Sequence, residues 1–318
     1  MKIVVLDGYA LNPGDLSWEC FEKFGEITVY DRTPKDLIVS RIRDAQIILL
    51  NKTPITEETL AACPSVKLIC VLATGYNVVD CDAAKKRGIP VCNVPAYGTD
   101  AVAQFTFALL LELCHRAGLH SDSVHNGDWC RNADFCYWLS PQMELAGKTM
   151  GIIGFGRIGR AVGKIAKAFG MHVIAYNRSR CAEGEEIGQY IELDTLLKES
   201  DIVSLHCPLT PQTQQIINTR SLAIMKDGAI LLNTARGPLI DEQAVVDALK
   251  CGKLRGFAAD VVCAEPMAEN NPLMGAPNCI LTPHMAWAPM ESRQRIMDCT
   301  LRSLQAFLDG KPINTVNM

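Results

Sequence analysis

This chain of 318 residues is short of the features that would send it to a membrane, to nucleic acid or outside the cell. No apolar run approaches the ~20 residues needed to span a bilayer. The opening Met1-Lys-Ile-Val-Val-Leu-Asp7 puts a charge before apolar residues, but Asp7 ends the run after Leu6. That is too short for the apolar core of a signal peptide, and it reads as a first strand. Positive charge is not in excess: 31 Lys and Arg face 35 Asp and Glu, a net −4, so no basic field awaits a nucleic acid. Cysteine is plentiful at fourteen, yet no two make a C-x-x-C pair. Cys114, His115, His120, His125 and Cys130 follow no usual zinc spacing, so no metal is expected. With no secretion signal, the default is reduced cytoplasmic thiols, many of them serving as small core residues.

The rest is ordinary for a globular protein, with 48% hydrophobic and 21% charged residues, and long enough for about two domains. In the first part, Ile3–Leu6, Ile47–Leu50 and Leu68–Leu72 are short, apolar and β-branched, as strands buried on both faces are. Between them lie periodic polar stretches such as Thr56–Cys63, with Thr56 as N-cap and Glu57 and Glu58 in the first turn. Alternation of this kind implies a parallel α/β sheet. The glycine turn in Leu72-Ala-Thr-Gly-Tyr-Asn-Val-Val-Asp80 follows one strand; its N–H groups suit a small anion, or the turn is a simple connection.

Asp100–His115 reads as an amphipathic helix with a stripe of Val102, Phe105, Ala108, Leu109 and Leu113, crossing between the domains. From His120 to Met143 the pattern breaks, and Trp129, Phe135, Tyr137 and Trp138 mark either an interface or a loop covering its own domain. A second βα series begins near Leu145. Strands are expected at Met150–Ile153, Val173–Tyr176, Ile202–Leu205, Ile230–Asn233, Gly256–Asp260 and Cys279–Thr282, six in all. The last helix, about Met290–Leu308, resembles a return crossing that packs on the first domain.

The chemistry gathers around Met150-Gly-Ile-Ile-Gly-Phe-Gly-Arg-Ile-Gly-Arg160. Here Gly154-x-Gly156-x-x-Gly159 lies between a strand and a helix, the setting in which glycines admit a pyrophosphate to the helix N-terminus. An acidic residue is expected about 20 residues on, to hold the ribose hydroxyls of NAD; Asn177 stands there instead. Without that carboxylate a 2′-phosphate is not repelled, and Arg178, Ser179 and Arg180 could bind one, which tilts the reading toward NADP(H) or dual use. Three later turns offer one reactive residue each: Arg236 in Asn233-Thr-Ala-Arg-Gly-Pro238, Glu265 in Asp260-Val-Val-Cys-Ala-Glu-Pro266, and His284 in Thr282-Pro-His284. Singly these are a surface arginine, a turn glutamate and a capping histidine. Together they suit hydride transfer to a 2-keto acid: a guanidinium grips carboxylate and keto oxygen, and a histidinium backed by a carboxylate donates the proton. His206 also lies at a strand end but has no comparable carboxylate after it.

These motifs, with Leu205-His-Cys-Pro-Leu-Thr-Pro211, resemble over essentially the whole chain the D-isomer-specific 2-hydroxyacid dehydrogenases. The resemblance implies two doubly wound parallel-sheet α/β domains, a Rossmann dinucleotide-binding domain inserted into a flavodoxin-like substrate domain. The substrate domain would comprise residues 1–99 and 288–318, the dinucleotide domain 100–287, with a dimer arm at about 120–143 and a cleft that closes on substrate. It also implies that Arg236 binds substrate, that Glu265 pairs with His284, and that His284 is the acid/base. Ala73, Thr74 and Gly75 would offer backbone to the substrate carboxylate, and Asp260 would hold the nicotinamide carboxamide. Further NAD(H) or NADP(H) contacts are expected at Gly154, Gly156, Arg157, Ile158, Gly159, Asn177, Arg178, Ser179, Cys207, Pro208, Thr213, Thr234 and Ala235. Asp134-Phe-Cys-Tyr-Trp138 and His284-Met-Ala-Trp287 look most like glycerate dehydrogenases, that is, hydroxypyruvate reductases. The expectation is therefore a cytoplasmic homodimer acting on hydroxypyruvate and glyoxylate. The rival within the class is a D-lactate or broad 2-ketoacid reductase. The rival outside it is a corepressor-like protein that senses NAD(H) without turning it over.

Overall fold

The computed structural model describes residues 1–318, which divide into two compact units, Met1–Gly98 with Trp287–Met318, and Thr99–Ala286. The first unit holds five parallel strands: β1 (Lys2–Val5), β2 (Glu26–Val29), β3 (Ile47–Leu50), β4 (Leu68–Val71) and β5 (Val91–Cys92). Their order is β2-β1-β3-β4-β5, the flavodoxin-like arrangement. Every residue of β3 and β4 is buried, because both sheet faces are covered. One face carries Val4, Leu6, Ile48, Leu50, Ile69 and Val71. The other carries Ile3, Val5, Ile47, Leu49 and Leu68 against Ile296, Met297 and Leu304 of the helix Met290–Leu308. That helix therefore packs in this unit. The tail beyond it is tied to β5 by Asn317, whose Oδ1 accepts from the Val91 N–H at 2.8 Å while Nδ2 donates to Ile89 O at 2.9 Å.

Two strands of this sheet have no counterpart in the sequence expectation. β2 alternates between exposed and half-buried residues at an edge, so it never shows a continuous apolar run, and β5 is only two residues long. Thr56 does cap its helix, Glu57–Ala62, accepting the Thr59 N–H. The strand ends are held by local bonds. Asp7 accepts N–H groups from Asn51, Lys52 and Thr53 at 2.6–2.7 Å, and Thr74 and Asn93 tie the turn after β4 to the chain around Val94.

The second unit holds β6 (Thr149–Ile153), β7 (His172–Tyr176), β8 (Gln189–Tyr190), β9 (Ile202–Leu205), β10 (Ala229–Asn233), β11 (Leu254–Ala259) and β12 (Cys279–Leu281). All are parallel, in the order β12-β11-β10-β9-β6-β7-β8. Counted within the unit from the β8 edge this is 3-2-1-4-5-6, the dinucleotide-binding order, with one strand added. The sheet thus has seven strands where the sequence suggested six. β8 is a two-residue edge strand beside β7, too short to show a period.

The stripe expected on the helix Thr99–His115 also needs correction. Ala103, Thr106, Phe107, Leu110, Leu113 and Cys114 are buried, whereas Val102 and Phe105 are half-buried and Ala108 is exposed. This helix packs at once on β10 and β11 and on the helix Arg157–Ala168. Small and hydroxyl-bearing positions such as Ala103 and Thr106 face inward where a single-sided helix would turn only its large apolar residues in.

Candidate active site

Seven parallel strands all deliver their carboxyl ends to the same edge, and the reactive turns follow strands that are neighbours in the sheet. Gly154 ends β6, His206 and Cys207 follow β9, Arg236 follows β10, the Asp260–Glu265 turn follows β11, and His284 follows β12. In such sheets ligands bind beyond that edge.

The first turn fits a dinucleotide on steric grounds. Gly154 has φ +94, and a Cβ there would lie 2.3 Å from Cys207 N, so the chain passes where no side chain could stand. A Cβ on Gly159 would lie 2.2 Å from Gly154 O, which is how the helix Arg157–Ala168 seats on the turn. At Gly156, by contrast, a Cβ would meet nothing within 4 Å, and no side chain caps the helix that begins beside it. That open face, lined by N–H groups, is the cradle a pyrophosphate requires. Arg157 is exposed and Ile158 half-buried at the head of this helix. Asn177 braces the turn: its Oδ1 accepts the Phe155 N–H at 3.0 Å and its Nδ2 donates to Ser179 O at 2.7 Å. Arg178 and Ser179 are exposed beside it, while the Arg180 guanidinium lies over the Tyr190 ring at 5.8 Å.

On the other strand ends, Cys207 is buried, Pro208 is exposed, and Thr213 closes that turn by donating to Pro208 O at 2.7 Å. His206 Nε2 lies 2.8 Å from Ser204 Oγ, and burial pushes the ring's pKa down to about 3. Burial thus favours the neutral ring over the charged acid. Thr234 is buried against Thr106, with the two hydroxyls 2.9 Å apart, and Ala235 is half-buried. Arg236 is exposed, and its guanidinium donates to Ala235 O at 2.6 Å.

The pair expected from sequence is formed: His284 Nδ1 lies 2.6 Å from Glu265 Oε2, and Glu265 Oε1 accepts the Val262 N–H at 3.3 Å. His284 has φ +53, an uncommon backbone conformation for a residue with a side chain. The turn that imposes it is held by Asp260, which is 1% exposed. Its Oδ1 accepts from Thr282 Oγ1 at 2.6 Å and from the Met285 N–H at 2.9 Å, and its Oδ2 accepts from the Ala286 N–H at 2.8 Å. Asp260 thus carries three bonds to the loop bearing His284, a partnership that sequence reasoning missed. Sequence reasoning also passed over Asn233, fully buried, which accepts the Ala235 N–H and donates to Arg236 O, clamping the arginine turn. The available signal was a polar residue closing an otherwise apolar strand. Ala73, Thr74 and Gly75 lie in the other unit, on the turn after β4.

A glycine cradle and an imidazole–carboxylate pair on one edge of a 3-2-1-4-5-6 sheet define a nicotinamide-dinucleotide oxidoreductase. Residues 107–286 match the family model described as D-isomer specific 2-hydroxyacid dehydrogenase, NAD binding domain. The chain belongs to that family, and within it to the glycerate dehydrogenase and hydroxypyruvate reductase type. It is 55% identical to a hydroxypyruvate reductase of Blautia hydrogenotrophica, with 100% of both chains covered. It is 40% identical to a glycerate dehydrogenase of Methylorubrum extorquens, covering 99% of this chain and 98% of that one. Among solved structures it is similar to an acyclic imino acid reductase in complex with NADPH and D-Arg, at 32% identity and TM-score 0.85, covering 99% of this chain and 100% of the other. A nicotinamide dinucleotide is accordingly its cofactor and small 2-keto and 2-hydroxy acids are its substrates. No helix is long and apolar enough to cross a membrane.

Proposed function

We propose that the chain reduces hydroxypyruvate, and glyoxylate as a smaller substrate, to the D-2-hydroxy acid, working as a cytoplasmic homodimer with NADPH or NADH. The observation that carries this reading is the 2.6 Å contact between Glu265 and His284, on the sheet edge that also bears Arg236 and the Gly154 turn. Arg236 grips the substrate carboxylate and keto oxygen with its planar fork. His284 holds the reacting proton at Nε2, the ring nitrogen other than the one Glu265 takes, and passes it to the keto oxygen as negative charge develops there. Glu265 fixes the tautomer and stabilises the charged ring before transfer. The nicotinamide, when bound, supplies the hydride. Cys207, Pro208, Thr213, Thr234 and Ala235 border the cofactor. Asp260, with three lone pairs already taken, has room for one further bond, to the carboxamide.

The substrate assignment is supported by the hydroxypyruvate reductase and glycerate dehydrogenase relatives. Dual cofactor use is supported by the neutral Asn177 and the exposed Arg178 and Ser179 beside it, and by the relative solved with NADPH. Exposed Trp129, Phe135 and Trp138 support a dimer arm, and fourteen unpaired cysteines suit a reducing compartment. Steady-state kcat/KM for hydroxypyruvate, glyoxylate and pyruvate, each with NADH and NADPH, tests the reading. Hydroxypyruvate should lead with either cofactor. Pyruvate in first place would make this a lactate-type enzyme, and no turnover of any 2-keto acid would leave a corepressor-like NAD(H) sensor.

A further inference from the structure

Glu242 has no part in the reaction as read above, yet both of its oxygens face the loop that carries Glu265. It is the first residue of the helix Glu242–Lys250, whose N-cap Asp241 already accepts the Ala244 N–H at 3.1 Å. The helix end therefore has its own cap, and the Glu242 carboxylate is spent elsewhere. Its Oε1 accepts the Cys263 N–H at 2.7 Å and its Oε2 accepts from Asn271 Nδ2 at 3.0 Å. The Cys263 thiol lies against the same carboxylate; burial, and then that negative charge, push its pKa up to about 12, so it stays a neutral thiol there.

The peptide between Val262 and Cys263 also meets a second turn. A Cβ on Gly237 would lie 2.0 Å from Val262 C and 2.4 Å from Cys263 N, so the turn carrying Arg236 rests directly on this peptide. The Val262 N–H in turn bonds Glu265 Oε1, whose partner oxygen takes His284. The Val262 N–H belongs to the preceding peptide, so two consecutive peptides meeting at the Val262 Cα link the turns of the arginine, the glutamate and, through it, the histidine.

We propose that Glu242 is a positioning residue for the reaction: by holding the Cys263 N–H it fixes the Val262–Cys263 peptide, on which the Arg236 turn rests, and through the Val262 Cα the preceding peptide, whose N–H holds Glu265 toward His284. The inference rests on the roles given above to Arg236, Glu265 and His284. A misplacement of about 1 Å in reacting groups can cost ~10²-fold in rate, so a loosened brace is felt in turnover and not in cofactor binding.

Two substitutions separate reach from charge. Glu242→Asp keeps a negative charge at the head of the helix but withdraws the acceptor from Cys263. Glu242→Gln loses the charge and, because its Nε2 donates, the bond from Asn271, but its Oε1 still reaches the Cys263 N–H. With the full chain, NADH and hydroxypyruvate, Glu242→Asp is expected to lower kcat by roughly 10-fold, with an unchanged Kd for NADH. Glu242→Gln is expected to retain kcat within about threefold, since a neutral acceptor keeps most of the bond. His284→Gln is run alongside as the control for the reading itself. If His284→Gln is slow while Glu242→Asp matches the unaltered enzyme, the brace is overturned and the reading of the site stands. If His284→Gln turns over normally, the reading falls and the brace with it. If the Asp and Gln variants lose kcat equally along with Tm, Glu242 serves the fold alone and the proposal is overturned.

Discussion

A histidine can follow a strand's carboxyl end for opposite reasons, and this chain has one of each. His284 faces a carboxylate at 2.6 Å, whereas His206 faces the Ser204 hydroxyl, and burial holds its pKa at about 3. Because the folded value of His206 lies below the ordinary one, the unfolded chain binds the extra proton first. Its contribution to stability is complete above about pH 6.5 and is lost as pH falls toward 3. The slope in that window is up to about 1.4 kcal/mol per pH unit from this one ring. Urea unfolding between pH 7.5 and 4.5 should therefore show a steeper acid loss for the unaltered chain than for His206→Gln; equal slopes would mean the ring takes up its proton while folded. The contact between Glu265 and His284 was legible in the sequence, where His206 has no comparable carboxylate after it. The bracing residues were not. Glu242 and Asp260 act through backbone groups of distant turns, and no spacing rule connects residue 242 to residue 263 or residue 260 to residue 285; Asn233 acts on the turn directly after it, where a single polar residue ending an apolar strand was the whole signal.

The strand–turn–helix element from Thr149 to Ala168 was the most readable part of the chain, since its glycines follow the spacing of a dinucleotide turn, Gly154 and Gly159 under backbone contacts that leave no space for a side chain and Gly156 at the open cradle. Two of them make a paired prediction. Gly159→Ala puts a methyl 2.2 Å from Gly154 O, so the helix must lift: overpacking of this kind costs about 1–3 kcal/mol, and dinucleotide affinity should fall as well. Gly156→Ala meets nothing within 4 Å, so the chain should keep its Tm and yet bind NADH at least 10-fold more weakly, because the methyl enters the cradle. Thermal melts with and without NADH check both. A Gly156→Ala variant with normal NADH affinity would move the pyrophosphate away from this turn. Elements without such constraints were harder to read. The edge strands β2, β5 and β8 are short or alternating, and the helix Thr99–His115 is buried on more than one side, so its stripe pointed to Ala108, which is exposed.

At the scale of the molecule, both sheets were foreshadowed by alternating apolar runs, and the strand orders follow from the preference of parallel βαβ units for short right-handed crossovers. The segment 117–143 stands apart. It holds the helices Ala117–His125 and Asp128–Arg131, and beyond them Phe135 is 88% and Trp138 69% exposed. If this is the proposed dimer arm, these apolar side chains would sit in its interface, and Phe135→Ser with Trp138→Ser should convert a dimer into a monomer in analytical ultracentrifugation. A monomeric unaltered chain, or a doubly substituted chain that stays dimeric, would refute the arm. Proton transfer in the proposed reaction depends on the pairing of His284 with Glu265 at the edge of a dinucleotide-binding sheet. Its most direct test is single-turnover oxidation of prebound NADH on mixing with hydroxypyruvate, followed by absorbance for the unaltered enzyme and for His284→Gln. The account predicts a step slower by roughly 10²–10⁴-fold in the variant, the usual contribution of a positioned acid, at unchanged NADH affinity; a step of near-normal speed would contradict it.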